Sequence, residues 1–194
     1  TKQLELMPKA VNVPVEKQMV FEGSPYSYGG YVNQDQNYGA AGNKKVDVFL
    51  KLKNSKENGM GSPLPSGRIR VNQKDEDGSL EFIGEDVIDH TPRNEDVLVK
   101  LGQAFDVVGE RKQTDFRIDT DKKWMEESFE IKIRNQKKQK ARIIVKENLY
   151  RGAGWEIISS SQKYEKKSSN VIHFTVDVAP EQQEVITYKV KYSW

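Results

Sequence analysis

The chain alternates apolar and polar side chains over most of its length. In the segment "SFEIKIRN", Phe129, Ile131 and Ile133 take every second position, with charged residues between them. The same period of two runs through residues 172–178 and 186–194. A strand with one buried face and one solvent-exposed face has this period, because successive side chains point to opposite faces. The pattern therefore predicts β-strands.

The last two runs are interpreted as an antiparallel hairpin. Residues 172–178 and 186–194 are separated by Pro180 and polar residues, which are typical of a turn. The charged segment "RNQKKQKAR" also lies between two alternating runs. Its five bases have no aromatic neighbour to stack on the bases of a single-stranded nucleic acid. We therefore expect a charged hairpin tip there and no nucleic-acid partner.

Similar short runs recur along the rest of the chain, separated by Gly, Pro, Asn or Asp, and give about a dozen strands by the alternation rule. No window keeps apolar residues at the spacing of a helix. Strands without helices must pack against other strands, so we predict an all-β fold, an antiparallel β-sandwich. A junction near Gly102 favours two immunoglobulin-like subdomains in series, residues 1–103 and 104–194. One larger sandwich would produce the same local pattern.

Composition excludes some classes of function. The chain has 194 residues and a formal net charge of +2, which is too small to indicate a nucleic-acid binder or an enzyme for acidic substrates. It has no cysteine, so thiol catalysis, disulfides and thiolate zinc sites are excluded. The two histidines lack metal-ligand spacing, and we expect no metal and no cofactor.

The start of the chain indicates a longer precursor. It begins at Thr1 rather than Met and opens directly into an alternating run. No apolar segment is long enough to cross a bilayer, and no signal-like segment heads the chain. We expect any targeting signal to lie upstream.

One loop differs in composition from the rest. Residues 22–43 set four of the eight tyrosines among Gly, Ser, Asn and Gln, a mixture typical of adaptable recognition surfaces. These tyrosines are a candidate platform for a glycan or a protein. The alternative is a loop that is mobile or packs on its own sandwich. The four candidates are Tyr26, Tyr28, Tyr31 and Tyr38.

Two further segments are candidates for chemistry. His90 follows Asp89, so a carboxylate could orient it as a general base, but no nucleophile motif accompanies it. In "QKDEDGSLEF", the Asp-Gly pair is better explained as a hairpin turn than as a calcium loop.

The segment "FDVVGERKQTDF" holds four ionisable residues inside a strand pattern: Glu110, Arg111, Lys112 and Asp115. They can pair with one another or with the acid-rich residues 72–96. An arginine held by a carboxylate can also fix one layer of a fold against another. We favour this structural interpretation over a functional site.

Several blocks of the sequence resemble one family. They are "GSPLPSGRIRVNQKDEDGSLEFIGEDVIDHTP", "KLGQAFDVVGERKQTDF", "ESFEIKIRN", Trp155 before "EIISSS", and "TYKVKYSW". Together they resemble the C-terminal domain of unknown function of the mucoidy-inhibitor-like family of bacterial proteins, in register from about Val13 to Trp194. The resemblance implies an exported protein that is periplasmic, envelope-associated or secreted, and it supplies no catalytic residues.

The resemblance also marks positions for attention. The family blocks correspond to residues 84–92 and 109–116, and the tyrosine-rich loop matches neither. The marked positions are Asp86, Asp89, His90, Glu110, Arg111, Lys112 and Asp115.

Three functions are open at this point. The leading hypothesis is a non-catalytic interaction or structural module whose partner is an unidentified protein or glycan of the cell envelope. The second is a hydrolase of an envelope polymer that uses Asp86, Asp89 or His90 together with Arg111. The third is a glycan-binding module built on the tyrosine-rich loop.

Overall fold

A computed structural model describes residues 9–24, 30–40 and 42–194. Within these residues all regular structure is β, which confirms the predicted fold class, and no helix could cross a membrane. The eleven strands are β1 (Glu16–Glu22), β2 (Lys45–Lys53), β3 (Gly67–Lys74), β4 (Leu80–Ile88), β5 (Asp96–Asp119), β6 (Trp124–Asn135), β7 (Ala141–Asn148), β8 (Gly154–Ser160), β9 (Tyr164–Lys166), β10 (Val171–Val178) and β11 (Gln183–Ser193).

The chain divides into two compact units. The larger comprises Met19–Val46 and Gln103–Trp194, and the smaller takes in Asp47–Gly102 and the chain up to Gln18. The division into two immunoglobulin-like domains at residues 103 and 104 stays a prediction.

The smaller unit contains the two-stranded sheet of β3 and β4. Its turn is built as the Asp-Gly pair predicts: Asp75 N donates to Ser79 O and Gly78 N to Asp75 O, each over 2.9 Å. Gly78 takes a φ of +86°, a conformation that glycine adopts without steric cost. The small core beneath this sheet is formed by Ile88, Val97 and Val99.

The larger unit is layered. Within it the strands follow the orders β8-β11-β6-β5 and β1-β7-β10-β9, in which β1 pairs with β7 in parallel and β10 and β11 pair with their neighbours antiparallel. Strand β10 faces β11 and β6 across the core, where the ring centroids of Phe174 and Tyr188 lie 5.7 Å apart. The alternating side chains of β6, β7, β10 and β11 fill the space between the layers, as the period of two predicts.

Two predicted hairpins are wrong. Strand β10 pairs with β7 and β9, whereas β11 pairs with β6 and β8, so these consecutive strands are not neighbours. The same holds for β6 and β7, on either side of the charged segment. Residues 136–140 and 179–182 each connect opposite layers instead of closing a hairpin. Alternation shows that a strand has a buried face, but both layers of a sandwich offer one.

Candidate functional site

A buried ion pair joins the two layers of the larger unit. Arg111 on β5 donates from Nε to Oε2 of Glu147 on β7 over 2.9 Å, and both side chains are 0% exposed. Tyr188 on β11 donates its hydroxyl hydrogen to the same oxygen. The guanidinium carbon of Arg111 lies 3.8 Å from the ring centroid of Phe129, a cation–π distance. Strands from both layers thus meet at one carboxylate.

A second buried ion pair lies in the same unit. Arg151, in the connection after β7, bonds from Nη2 to Oε1 of Glu127 on β6, and both side chains are again 0% exposed. The same oxygen accepts hydrogen bonds from the hydroxyl of Tyr150 at 3.2 Å and from Nε2 of Gln113 at 2.8 Å. Glu127 is therefore enclosed by three donors from two segments, β5 and the connection after β7.

The surroundings move the pKa values of Arg111, Tyr188 and Tyr150 further from neutral pH. Burial, the largest single influence, favours the neutral form of Arg111. The charge and hydrogen bond of Glu147, together with Tyr188 and Tyr150, outweigh it and hold the pKa of Arg111 well above its usual range. Burial, followed by the charge of Glu147, raises the pKa of Tyr188 far above its ordinary value. Burial and the charge of Glu127 likewise raise the pKa of Tyr150. Groups that neither reach solvent nor titrate near neutral pH are poorly suited to proton transfer.

The two arginines also hold the tyrosine-rich loop. Arg151 donates from Nη1 to the carbonyl oxygens of Asn33, over 3.1 Å, and Asp35. Arg111 donates from Nη1 to the carbonyl oxygen of Gly39 over 2.8 Å. Gly39 lies so close to the ring of Tyr150 that an added Cβ would be 2.1 Å from its Cζ. Residues 30–40 are thus anchored on the core by the same side chains that join its layers.

The predicted tyrosine platform is only partly described. Tyr38 is half-buried, and its ring makes an edge contact with Tyr150 at a centroid distance of 5.6 Å. Tyr31 is 64% exposed. Tyr26 and Tyr28 lie outside the described residues. Tyr38 therefore belongs to the packing around Arg151, and Tyr31 alone of the two described rings is displayed to solvent.

The predicted cluster around Arg111 splits between the two faces of β5. Arg111 points into the core, whereas Glu110 and Lys112, one position away on either side, point to the opposite face. Glu110 pairs with Arg134 at 3.4 Å, and Asp115 pairs with Arg117 at 3.1 Å, at sites that are partly open to solvent. We expected Arg111 to pair within its own cluster or with the acid-rich residues 72–96. Its partner is instead Glu147, which is distant in sequence.

The other marked positions lie in the smaller unit. Asp86 accepts hydrogen bonds from the backbone N–H of Lys100 at 2.7 Å and of Val87 at 2.9 Å. Asp89 is exposed, and its backbone carbonyl accepts the hydroxyl of Thr91 over 2.9 Å. These contacts secure the backbone around β4.

His90 is exposed and bonded to Ser66. The backbone N–H of Ser66 donates to Nδ1 of His90 over 3.2 Å, and the Ser66 hydroxyl lies 3.4 Å from Nε2. Because Nδ1 accepts a hydrogen, the neutral ring carries its proton on Nε2. A base that activates this serine would need the free electron pair on Nε2. The geometry therefore favours the tautomer that cannot take the proton of Ser66.

Sequence reasoning missed most of the buried network. Glu127 occupies the apolar phase of β6 together with Phe129, and Glu147 occupies the apolar phase of β7 together with Val145. A charged residue in the buried phase of an alternating strand is the signal that could have found both. Also missed were Tyr150, Arg151 and Tyr188.

Neither metal ligands among the described residues nor similarity to known proteins indicates a function. In the part of the chain that the structure describes, no three His, Asp or Glu side chains come together as metal ligands would. Comparisons with protein-family models, with curated proteins and with solved structures found no match.

Proposed function

We propose that this chain is a non-catalytic β-sandwich module that serves an interaction or structural role in an exported bacterial envelope protein. The observation that carries the proposal is the complete burial of both ion pairs. The side chains of Arg111, Glu147, Glu127 and Arg151 are each 0% exposed. A catalytic group must touch its substrate, whereas groups placed in this way join layers and anchor a loop.

The location outside the cytoplasm is supported by the resemblance. The blocks "GEDVIDHTP" and "GERKQTDF" are similar to those of the mucoidy-inhibitor-like family, whose members usually carry an export signal. The partner is accordingly a protein or glycan of the envelope. This part of the proposal depends on the resemblance and not on the geometry of the buried network.

The competing function, hydrolysis of an envelope polymer, has less support. It requires His90 as a base or Asp86 as an acid–base group close to a reactive centre. The hydrogen bond from Ser66 N to His90 Nδ1 favours the unsuitable tautomer, and both oxygens of Asp86 already accept backbone N–H groups. Neither residue is poised to transfer a proton in this arrangement.

An assay for turnover separates the two functions. The purified chain is incubated with bacterial peptidoglycan and with an acidic capsular polysaccharide, and soluble products are quantified by chromatography and mass spectrometry. We expect release at the level of a buffer blank. Release that disappears in the His90→Gln variant, while its thermal unfolding is unchanged, would overturn the proposal in favour of a hydrolase.

The interaction role is tested by co-sedimentation. The purified chain, its His90→Gln variant and an unrelated protein of similar size are each incubated with a bacterial envelope fraction, and the share that sediments with the envelope is measured. We expect the chain and the His90→Gln variant to be retained equally and above the level of the unrelated protein. Retention at the level of the unrelated protein would contradict an interaction role.

A further inference from the structure

A concave site lies at one end of the larger unit. It is formed by the connection between β7 and β8 and the connection between β9 and β10, and it encloses about 540 Å³, a volume that suits a small molecule. None of the residues marked by the sequence lines it. Its walls are Leu149, Gly152, Ala153, Gly154, Trp155, Lys166, Ser169 and Asn170.

Hydrogen bonds between the two connections preorganise the pocket. Leu149 N donates to the carbonyl oxygen of Asn170 over 2.8 Å, and the indole Nε1 of Trp155 donates to the carbonyl oxygen of Ser169 over 2.8 Å. The second bond fixes the plane of the indole ring. A pocket whose walls are already joined loses little conformational entropy when a ligand enters.

The tyrosine-rich loop supports one wall. Gly152 has a φ of +72°, and an added Cβ would lie 1.9 Å from the carbonyl oxygen of Tyr31. The backbone N–H of Asn33 donates to the carbonyl oxygen of Arg151 over 3.2 Å. The loop anchored by the buried arginines is thus packed directly behind the pocket.

The pocket presents an ammonium group without a counter-charge. Lys166 Nζ lies 4.7 Å from the ring centroid of Trp155, within cation–π range. Among the described residues Lys166 forms an ion pair with no carboxylate. The adjacent carboxylate, Glu165, is paired with Lys167. The indole holds this positive charge at the site, where it is available to an anion.

The pocket also presents an amide donor. The Asn170 side-chain oxygen accepts hydrogen bonds from the hydroxyls of Ser168 and Ser169, each over 3.3 Å. Those two bonds orient the amide. Its Nδ2 donates to no acceptor among residues 9–24, 30–40 and 42–194. Lys166 and Asn170 therefore offer two kinds of donor beside an apolar wall that includes Ala153.

We propose that this pocket binds an acidic sugar, such as a uronate unit of an envelope polysaccharide. One ammonium matches one carboxylate, the Asn170 amide matches a ring hydroxyl, and the exposed surface of the indole with Ala153 matches the apolar face of a sugar ring. The cavity is far larger than a simple anion needs. This inference rests on the proposed interaction role and deepens it by naming the class of ligand.

The pocket is tested by NMR titration of the folded chain with three matched ligands. Glucuronate carries both features, glucose lacks the carboxylate, and acetate lacks the sugar. We expect glucuronate to shift the Trp155 indole resonance and the backbone amides of residues 152–155 and 169–170 to saturation. Glucose and acetate should bind about tenfold more weakly or worse, because each loses one set of contacts.

Two variants assign the contacts. Lys166→Gln removes the charge and Asn170→Asp replaces the free amide with an anion, so each should weaken glucuronate binding about tenfold or more. Lys163→Gln, also an exposed lysine but outside this pocket, should bind like wild type.

Each other outcome overturns the inference. Shifts that are as large with acetate would show only an anion site, and equal binding of glucose would remove the role of Lys166. No shift at these positions would remove the pocket altogether. None of these results bears on the absence of turnover, so a failed titration leaves the proposed function standing. Conversely, hydrolysis of a polymer would overturn the proposed function but not the binding of glucuronate.

Discussion

Arg111 on β5 donates from Nε to Oε2 of Glu147 on β7 over 2.9 Å, in a place from which both side chains are wholly excluded from solvent. The two residues come from opposite layers of the larger unit. Removal of one member of such a pair strongly destabilises the fold, because the remaining charge stays buried without its partner. Arg111 also donates to the carbonyl oxygen of Gly39, so one guanidinium connects both layers and the loop.

The loop anchor predicts a large effect at Gly39. Gly39→Ala places a Cβ 2.1 Å from Cζ of Tyr150 at a φ of +80°, and we expect a loss of about 3 kcal/mol or more in the free energy of unfolding. Gly30→Ala is the matched control, because Gly30 has a φ of +77° with nothing within 4 Å of an added Cβ. It should lose only about 1 kcal/mol. Urea denaturation measures both, and equal losses would show that the loop does not press on the core.

The two described loop tyrosines should behave differently. Tyr38 packs edge-on against Tyr150 and lies beside Arg151, so Tyr38→Ala should lower the free energy of unfolding by about 1–3 kcal/mol. Tyr31 is 64% exposed, and Tyr31→Ala should stay within about 0.5 kcal/mol of wild type. Chemical denaturation of the two variants gives the comparison. A Tyr38→Ala variant as stable as wild type would instead favour a loop whose tyrosines bind a ligand.

Lowering the pH should weaken the ion pairs of Asp177 with Arg142 and Lys140 over a defined pH interval. Hydrogen bonds from Arg142 and then Lys140 lower the pKa of Asp177 to about 2, against 3.8 in the unfolded chain. Because the folded pKa is the lower one, this contribution to stability is complete above about pH 4 and is lost as the pH falls towards 2. The difference in stability between wild type and Asp177→Asn should therefore shrink over that interval in urea titrations. A difference that stays constant from pH 6 to pH 2 would contradict the assignment.

The fold class followed from the sequence because alternation is a local property. Phe129, Ile131 and Ile133 needed only their own spacing to identify a strand with one buried face. Which strands are neighbours depends on the route of the chain between layers, which no local spacing encodes. This is why β10 and β11, with equally clear patterns, were wrongly expected to pair with each other.

The buried site could be predicted only in part. The sequence singles out Arg111 as a residue that joins layers, but its partner, Glu147, is distant in sequence. Glu127 and Glu147 had a readable signal, since each occupies the apolar phase of its strand. Arg151 lies outside the strands, where alternation says nothing about burial. Its position depends on packing that brings it against the loop.

The central claim is that the buried charges are structural, and a double-mutant cycle on Arg111 and Glu147 tests it most directly. Free energies of unfolding are measured by urea denaturation for wild type, Arg111→Met, Glu147→Leu and the double variant. We predict that each single change costs about 3–5 kcal/mol, because it leaves one charge buried alone, and that the double variant is more stable than either single variant. Single variants as stable as wild type, or a double variant whose loss is the sum of the two, would contradict the account.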